Sequence, residues 1–112
     1  MAGEAFTFRT DHRGETAVVS LAGELDMTTT FRLEPELERL TRDADISALV
    51  VDMEGVVFMD STVLGLLLAT QQRLRAEGIR FLLANPSTSV RRMLELTGAG
   101  DALSITTLPP DP

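Results

Sequence analysis

The sequence predicts an α/β domain with a mixed β-sheet, an N-terminal antiparallel hairpin followed by parallel strands, and helices packed on that sheet. Three observations carry this expectation. Two strand-like segments near the N-terminus flank a polar turn, helical and strand periodicities then alternate, and Ile46 to Asp52 is a nearly continuous apolar run. A strand buried on both faces of a parallel sheet needs such a run. With 112 residues, 44% hydrophobic and 24% charged, the chain has the size and apolar content of one globular domain.

Phe6, Phe8 and the turn T-D-H-R-G-E, followed by Thr16 to Ala22, read as two strands joined at Gly14. Gly23 then punctuates the chain, and Asp26, Thr28, Thr29 and Thr30 are candidate caps for a helix that runs to about Arg42. Leu33, Leu37 and Leu40 stand at i, i+4 and i+7, with Glu34, Glu36, Glu38 and Arg39 between them, so one face is apolar and the other acidic. Pro35 conflicts with this pattern, because an interior proline lacks the N–H donor and crowds the carbonyl four residues back, at a cost of about 3 kcal/mol. Either the first turn is distorted or regular helix starts at Pro35.

Ile46 to Asp52 follows as the buried strand. A helix is expected from about Ser61 to Glu77, with Gly78 just past its end, and then a strand from Ile79 to Ala84. Beyond the loop residues Asn85, Pro86 and Ser87, a short helix places Val90, Met93, Leu94 and Thr97 inward and ends at Gly98. Leu103 to Thr107 reads as the last strand. Residues 4–108 form the expected domain and residues 109–112 a disordered tail. Right-handed crossovers would join the parallel strands.

Missing residue types exclude much chemistry. The chain has ten Arg and no Lys, one His (His12), and no Cys, Trp or Tyr. Without Lys there is no P-loop lysine and no Schiff base; without Cys there is no disulfide, thiol nucleophile or zinc-thiolate site. His12 sits in a polar turn beside no nucleophile motif, which argues against a catalytic triad. Asp52, at the expected end of a strand, has the position of a receiver-domain phospho-acceptor, but the acidic pair and lysine of such a site are absent. The formal charge of -7 disfavours nucleic acid as a partner, since phosphate backbones are held by clustered Lys and Arg. The start M-A-G-E-A-F has no signal-peptide pattern, and the longest apolar run, Val63 to Ala69, is far shorter than the roughly 20 residues of a membrane span. No membrane partner and a cytoplasmic location are therefore expected.

The most informative stretch is F58-M59-D60-S61-T62-V63-L64-G65, which puts two hydroxyls and a carboxylate where an apolar segment turns into a helix. A helix N-terminus exposes unpaired N–H groups and the positive end of the dipole, which suits an anion such as a covalently attached phosphate. Asp60, Ser61 or Thr62 could each simply cap the helix. No Glu or Gln stands three residues after Ser61, where Leu64 is found, so Ser61 lacks a reciprocal capping partner.

G23-E-L-D26 before a threonine-rich helix start, the V-V-D strand, F-M-D60-S61-T62-x-L-G-L, and R-x-M-L-E-L-T-G98 together resemble the STAS-domain anti-sigma factor antagonists. The resemblance spans about residues 6 to 107 and implies a STAS domain that is not an enzyme. In that family the serine after the Asp of F-M-D-S is phosphorylated by an anti-sigma factor that is itself a serine kinase; Ser61 stands there, and Asp26, Asp60, Thr62 and Thr28 would form its surround. The unphosphorylated form binds the anti-sigma factor and frees a sigma factor to activate transcription. The phosphorylated form does not bind and is reset by a serine/threonine phosphatase. The chain itself would need no cofactor, ATP being bound by the partner kinase. Where the family commonly has Ser-Gly or Ser-Ser-Gly, this chain has Thr62 and Val63, and a β-branched Val63 is expected to leave less room for a kinase. Leu64, Leu66, Leu67 and Leu68 are too many to face inward equally, so one or two should line the partner surface. The alternative is a STAS scaffold or ligand-sensing module, never phosphorylated, in a larger stress-signalling or lipid-transport assembly.

Overall fold

The protein is described by a computed structural model over residues 6–42 and 45–107. The expected domain limits at residues 4 and 108 and the tail 109–112 lie outside the described residues. In chain order the elements are β1 (Phe6–Arg13), β2 (Thr16–Leu25), α1 (Met27–Thr41), β3 (Ala48–Met59), α2 (Ser61–Ala76), β4 (Arg80–Ala84), α3 (Thr88–Thr97), a 3-10 turn (Ala99–Asp101) and β5 (Ser104–Thr106). The strands form one sheet in the order β1-β2-β3-β4-β5, with β1 antiparallel to β2 and every later pair parallel. This is the predicted mixed sheet.

Because the parallel strands follow one another in both sequence and space, right-handed crossovers put all three helices on the same face. Leu33, Leu37 and Leu40 from α1, Val63, Leu64, Leu67 and Leu74 from α2, and Val90 and Leu94 from α3 join one core with Leu49, Val51 and Leu83 of the sheet. Each fully buried Leu or Val contributes about 1.5–3 kcal/mol relative to exposure. The opposite face holds a smaller cluster of Val18, Val50 and Ala84. In consequence α1, α2 and α3 all begin at the same end of the sheet, over the C-terminal ends of β2, β3 and β4.

Four departures from the expected elements have physical causes. Helix α1 starts at Met27 and continues through Pro35, so it neither distorts in its first turn nor begins at the proline. Pro35 is exposed, away from the face that carries Leu33 and Leu37, and the core holds the helix across the missing bond. Strand β2 does not stop at Gly23 but passes through it to Leu25, with Gly23 at φ +98°, a conformation that costs glycine no side-chain clash. Thr97 is exposed, its hydroxyl donating to the Met93 carbonyl 2.8 Å away, and does not face the core. Finally, β3 reaches Met59 rather than ending at Asp52.

That extension depends on two bulges. Register runs Ser20 to Asp52 but Ala22 to Gly55, and Gly23 to Val56 but Glu24 to Phe58, so β3 uses 12 residues where β2 uses 10. Each extra residue flips the alternation of the faces and erases the period-2 signal. Asp52 is thus internal to β3; its carboxylate accepts from Glu54 N at 3.1 Å and Asn85 Nδ2 at 3.4 Å, a local structural role. His12 likewise belongs to β1 instead of the turn and is exposed.

At Gly55 the bulged strand lies too close to β2 for a side chain: a Cβ there would lie 2.9 Å from Ala22 Cβ and 3.2 Å from the Leu21 carbonyl oxygen. Gly65, exposed in the middle of α2, would have nothing within 4 Å of an added Cβ. Urea denaturation should therefore show Gly55→Ala destabilised by about 1–3 kcal/mol. Gly65→Ala should be stabilised by about 1 kcal/mol through helix propensity. The reverse order would contradict the bulge.

Candidate functional site: two capped helix starts side by side

The last paired residues of β2 and β3 are Leu25 and Met59, and both strands turn into a helix immediately afterwards. The Asp60 N–H donates to the Leu25 carbonyl at 3.0 Å, tying the two exits together. Adjacent strands lie about 4.8 Å apart, so the starts of α1 and α2 are set next to each other. Asp26 caps α1 and Asp60 caps α2.

Both caps follow from the same local spelling, Asp-x-Thr. Asp26 Oδ1 accepts from Thr28 N at 3.0 Å, Thr29 N at 3.3 Å and Thr28 Oγ1 at 2.6 Å. The Asp26 N–H in turn donates to Thr29 Oγ1 at 3.0 Å, closing a capping box in which threonine takes the place of the usual Glu or Gln. Asp60 Oδ1 accepts from Thr62 N at 3.0 Å, from Val63 N at 3.2 Å and from the Thr62 hydroxyl. Of the three candidate caps at the start of α2, the structure therefore selects Asp60.

Ser61 is the first residue of α2 and is exposed. Its hydroxyl has no hydrogen-bond partner among the described residues, whereas the Thr62 hydroxyl is committed to Asp60. Two hydroxyls that look equivalent in the sequence thus differ in availability. All five expected site residues, Asp26, Thr28, Asp60, Ser61 and Thr62, are brought to one end of the sheet.

Val63 departs from expectation: its side chain is completely buried in the core, so it takes no room from a molecule approaching Ser61. Leu64 and Leu67 are buried, while Leu66 and Leu68 are only partly covered. Four exposed apolar residues near this end, Met27 and Phe31 on α1 and Val57 and Phe58 on β3, are not among the expected site residues. The signal for Phe31 was its place opposite the Leu33-Leu37-Leu40 stripe. Val57 and Phe58 gave no such signal, because the bulges hide which way they point.

No three His, Cys, Asp or Glu side chains among the described residues are grouped to hold a metal ion. No described helix is long and apolar enough to cross a membrane. The Asp26 carboxyl is held below its ordinary value, chiefly by the Thr28 hydroxyl; desolvation, the next largest effect, opposes this, and the backbone N–H groups of Thr29 and Thr28 add to the lowering. A depressed folded-state value means that the cap stabilises the fold above the unfolded carboxyl value and loses this effect as pH falls through the folded one. The stability difference between wild type and Asp26→Asn should accordingly be full near neutrality and shrink below about pH 4 in acid-titrated thermal unfolding. Asp60→Ala should cost about 1 kcal/mol and leave the protein folded by circular dichroism.

Comparison with known proteins places this arrangement. The STAS domain profile matches residues 7–108. An anti-sigma F factor antagonist from Lysinibacillus sphaericus is 31% identical over 86 residues, covering 77% of this chain and 74% of that protein. The crystal structure of an anti-sigma factor antagonist from Mycobacterium paratuberculosis superposes with a TM-score of 0.83 at 30% identity, over 94% of this chain and 88% of that one. The Bacillus cell fate determinant SpoIIAA in its phosphorylated form superposes with a TM-score of 0.73 at 26% identity, over 92% of each chain. With the profile covering nearly its whole length, and with the mixed sheet and paired helix starts just described, this chain belongs to the STAS domain family.

Proposed function

We propose that this protein is an anti-sigma factor antagonist controlled by phosphorylation of Ser61. In the unphosphorylated state it binds an anti-sigma factor through the surface around Asp26, Thr28, Asp60 and Ser61, and the bound anti-sigma factor releases its sigma factor to activate transcription. The anti-sigma factor is a serine kinase that brings its own ATP and phosphorylates Ser61, which ends binding. A serine/threonine phosphatase resets the cycle, which runs in the cytoplasm with the transcription machinery.

The observation that carries this reading is the uncommitted Ser61 hydroxyl, exposed at the first position of α2 while both neighbouring carboxylates are fixed as caps. The relatives named as anti-sigma factor antagonists support it, as does the existence of SpoIIAA in a phosphorylated form. Phosphorylation adds about -1.5 to -2 charges and three acceptor oxygens at one spot. Within the domain, the positive end of α2 accommodates that charge. At an interface the same charge must lose its water beside Asp26 and Asp60, and about 2.7 kcal/mol of such cost lowers affinity about a hundredfold. No rearrangement of the fold is needed.

Incubation with the cognate anti-sigma kinase and ATP should add one phosphate by intact mass, mapping to Ser61 and not to Thr62. Ser61→Ala should bind the anti-sigma factor whether or not ATP is present, and Ser61→Glu should bind at least about a hundredfold more weakly. No phosphate from any candidate kinase, with equal affinity for all three forms, would favour the unphosphorylated scaffold instead.

A further inference from the structure

We infer that the anti-sigma factor is also gripped by the outer face of α1, where Phe31 and Met27 form an acid-rimmed apolar knob that fits a hydrophobic pocket ringed by Arg or Lys on the partner. This rests on the functional reading above and extends its surface beyond the helix starts. Phe31 is 74% exposed and Met27 56% exposed, one helical turn apart on the same side of α1. Neither has a structural task there, since α1 is fastened by Leu33, Leu37 and Leu40 on its other side.

The side on which this pair lies can be located. Arg73 of α2 donates through both terminal nitrogens to Thr41 Oγ1 of α1 at 3.3 Å, which marks the stripe of α1 that meets α2. Glu34 and Met27 precede Thr41 by one and two heptads, so they share that stripe, and Phe31 is one turn from Met27. On α2, Thr62, Leu66, Ala69 and Arg73 follow at i, i+4, i+7 and i+11, on the side turned to α1. Met27 therefore lies at the seam between α1 and α2 beside the Ser61 end, and Phe31 carries the knob from there onto the outer face of α1.

Charge decides among occupants. Glu34 and Glu38, both exposed, stand three and seven residues beyond Phe31. The nearby cations of α1 are engaged elsewhere: Arg39 pairs with Glu36, and the Arg32 guanidinium sits 5.0 Å from the Phe6 ring centroid and 5.7 Å from that of Phe8. Arg42 is three turns away at the end of the helix. A second copy of this chain would set the same two glutamates against these and carry a net charge of -7 of its own, and an anionic bilayer would be repelled in the same way. A basic, pocketed protein surface complements both the phenyl ring and its rim.

The test titrates the full chain into each anti-sigma factor of the source genome, purified singly and held in ADP so that no phosphate moves. Against the factor that binds wild type, Phe31→Ala should lose about tenfold in affinity and Phe31→Glu more. Glu34→Lys should weaken binding and flatten its salt dependence. Leu96→Ala, which removes an equally bare apolar side chain from α3 (81% exposed), should bind as wild type. If Ser61→Glu abolishes binding while Phe31→Ala stays within about twofold of wild type, the knob is overturned and the functional reading stands. If no anti-sigma factor binds, or Ser61→Glu binds like wild type, the functional reading itself falls. A wild-type dimer in sedimentation that Phe31→Ala converts to monomer would assign the knob to a second copy and overturn the proposal.

Discussion

Everything at the candidate site depends on β2 and β3 ending in register. Leu25 and Met59 are paired, the Asp60 N–H is bonded to the Leu25 carbonyl, and each strand passes directly into a helix capped by an aspartate. Parallel strands joined by right-handed crossovers must start their helices at the same end of the sheet. Register determines whether those starts are also level, and here it makes them so. Two positive helix ends, two fixed carboxylates and one free hydroxyl then share a small area.

The division of labour between Asp60, Ser61 and Thr62 shows how the hydroxyl proposed for modification is kept separate from the bonds that hold the helix start. Asp60 satisfies the first N–H groups of α2, and Thr62 holds Asp60 in place. Ser61 is left with no structural bond to lose, so a phosphate there need not unfold the helix that carries it. Val63, next in line, is completely buried and anchors the same turn to the core. On the proposed reading, a phosphate on Ser61 would place its charge at the surface, where a partner meets it, and spare the fold, as a reversible binding switch requires.

Much of the fold was legible in the sequence for reasons that can be named. The Leu33-Leu37-Leu40 spacing, the two-sided apolar run before Asp52, and Gly78 and Gly98 after their helices each report a local physical requirement. All but one of the departures from local expectation share a cause, the override of local signals by packing and strand pairing; Thr97 is the exception. Pro35 persists inside α1 because three buried leucines hold the helix on either side of it. Gly23 and the segment Met53 to Met59 look like breaks because bulges interrupt alternation, yet pairing along the whole of β2 carries the strand through. Thr97 fits an inward pattern, but its hydroxyl finds the Met93 carbonyl and the residue stays exposed.

By itself the sequence determined the chemistry that is absent, the mixed α/β architecture, and the segment Asp60-Ser61-Thr62 as the place to look, because residue type and short-range spacing are local properties. Only the tertiary structure decided which of three polar residues caps α2, that Val63 turns inward, and that Asp26 and Thr28 lie beside Ser61 although more than thirty residues separate them in the chain. The same holds for the exposure of Met27 and Phe31. The physical reason is that capping competition, side-chain burial and strand register are settled by contacts between distant segments, and those exist only once the sheet has been assembled.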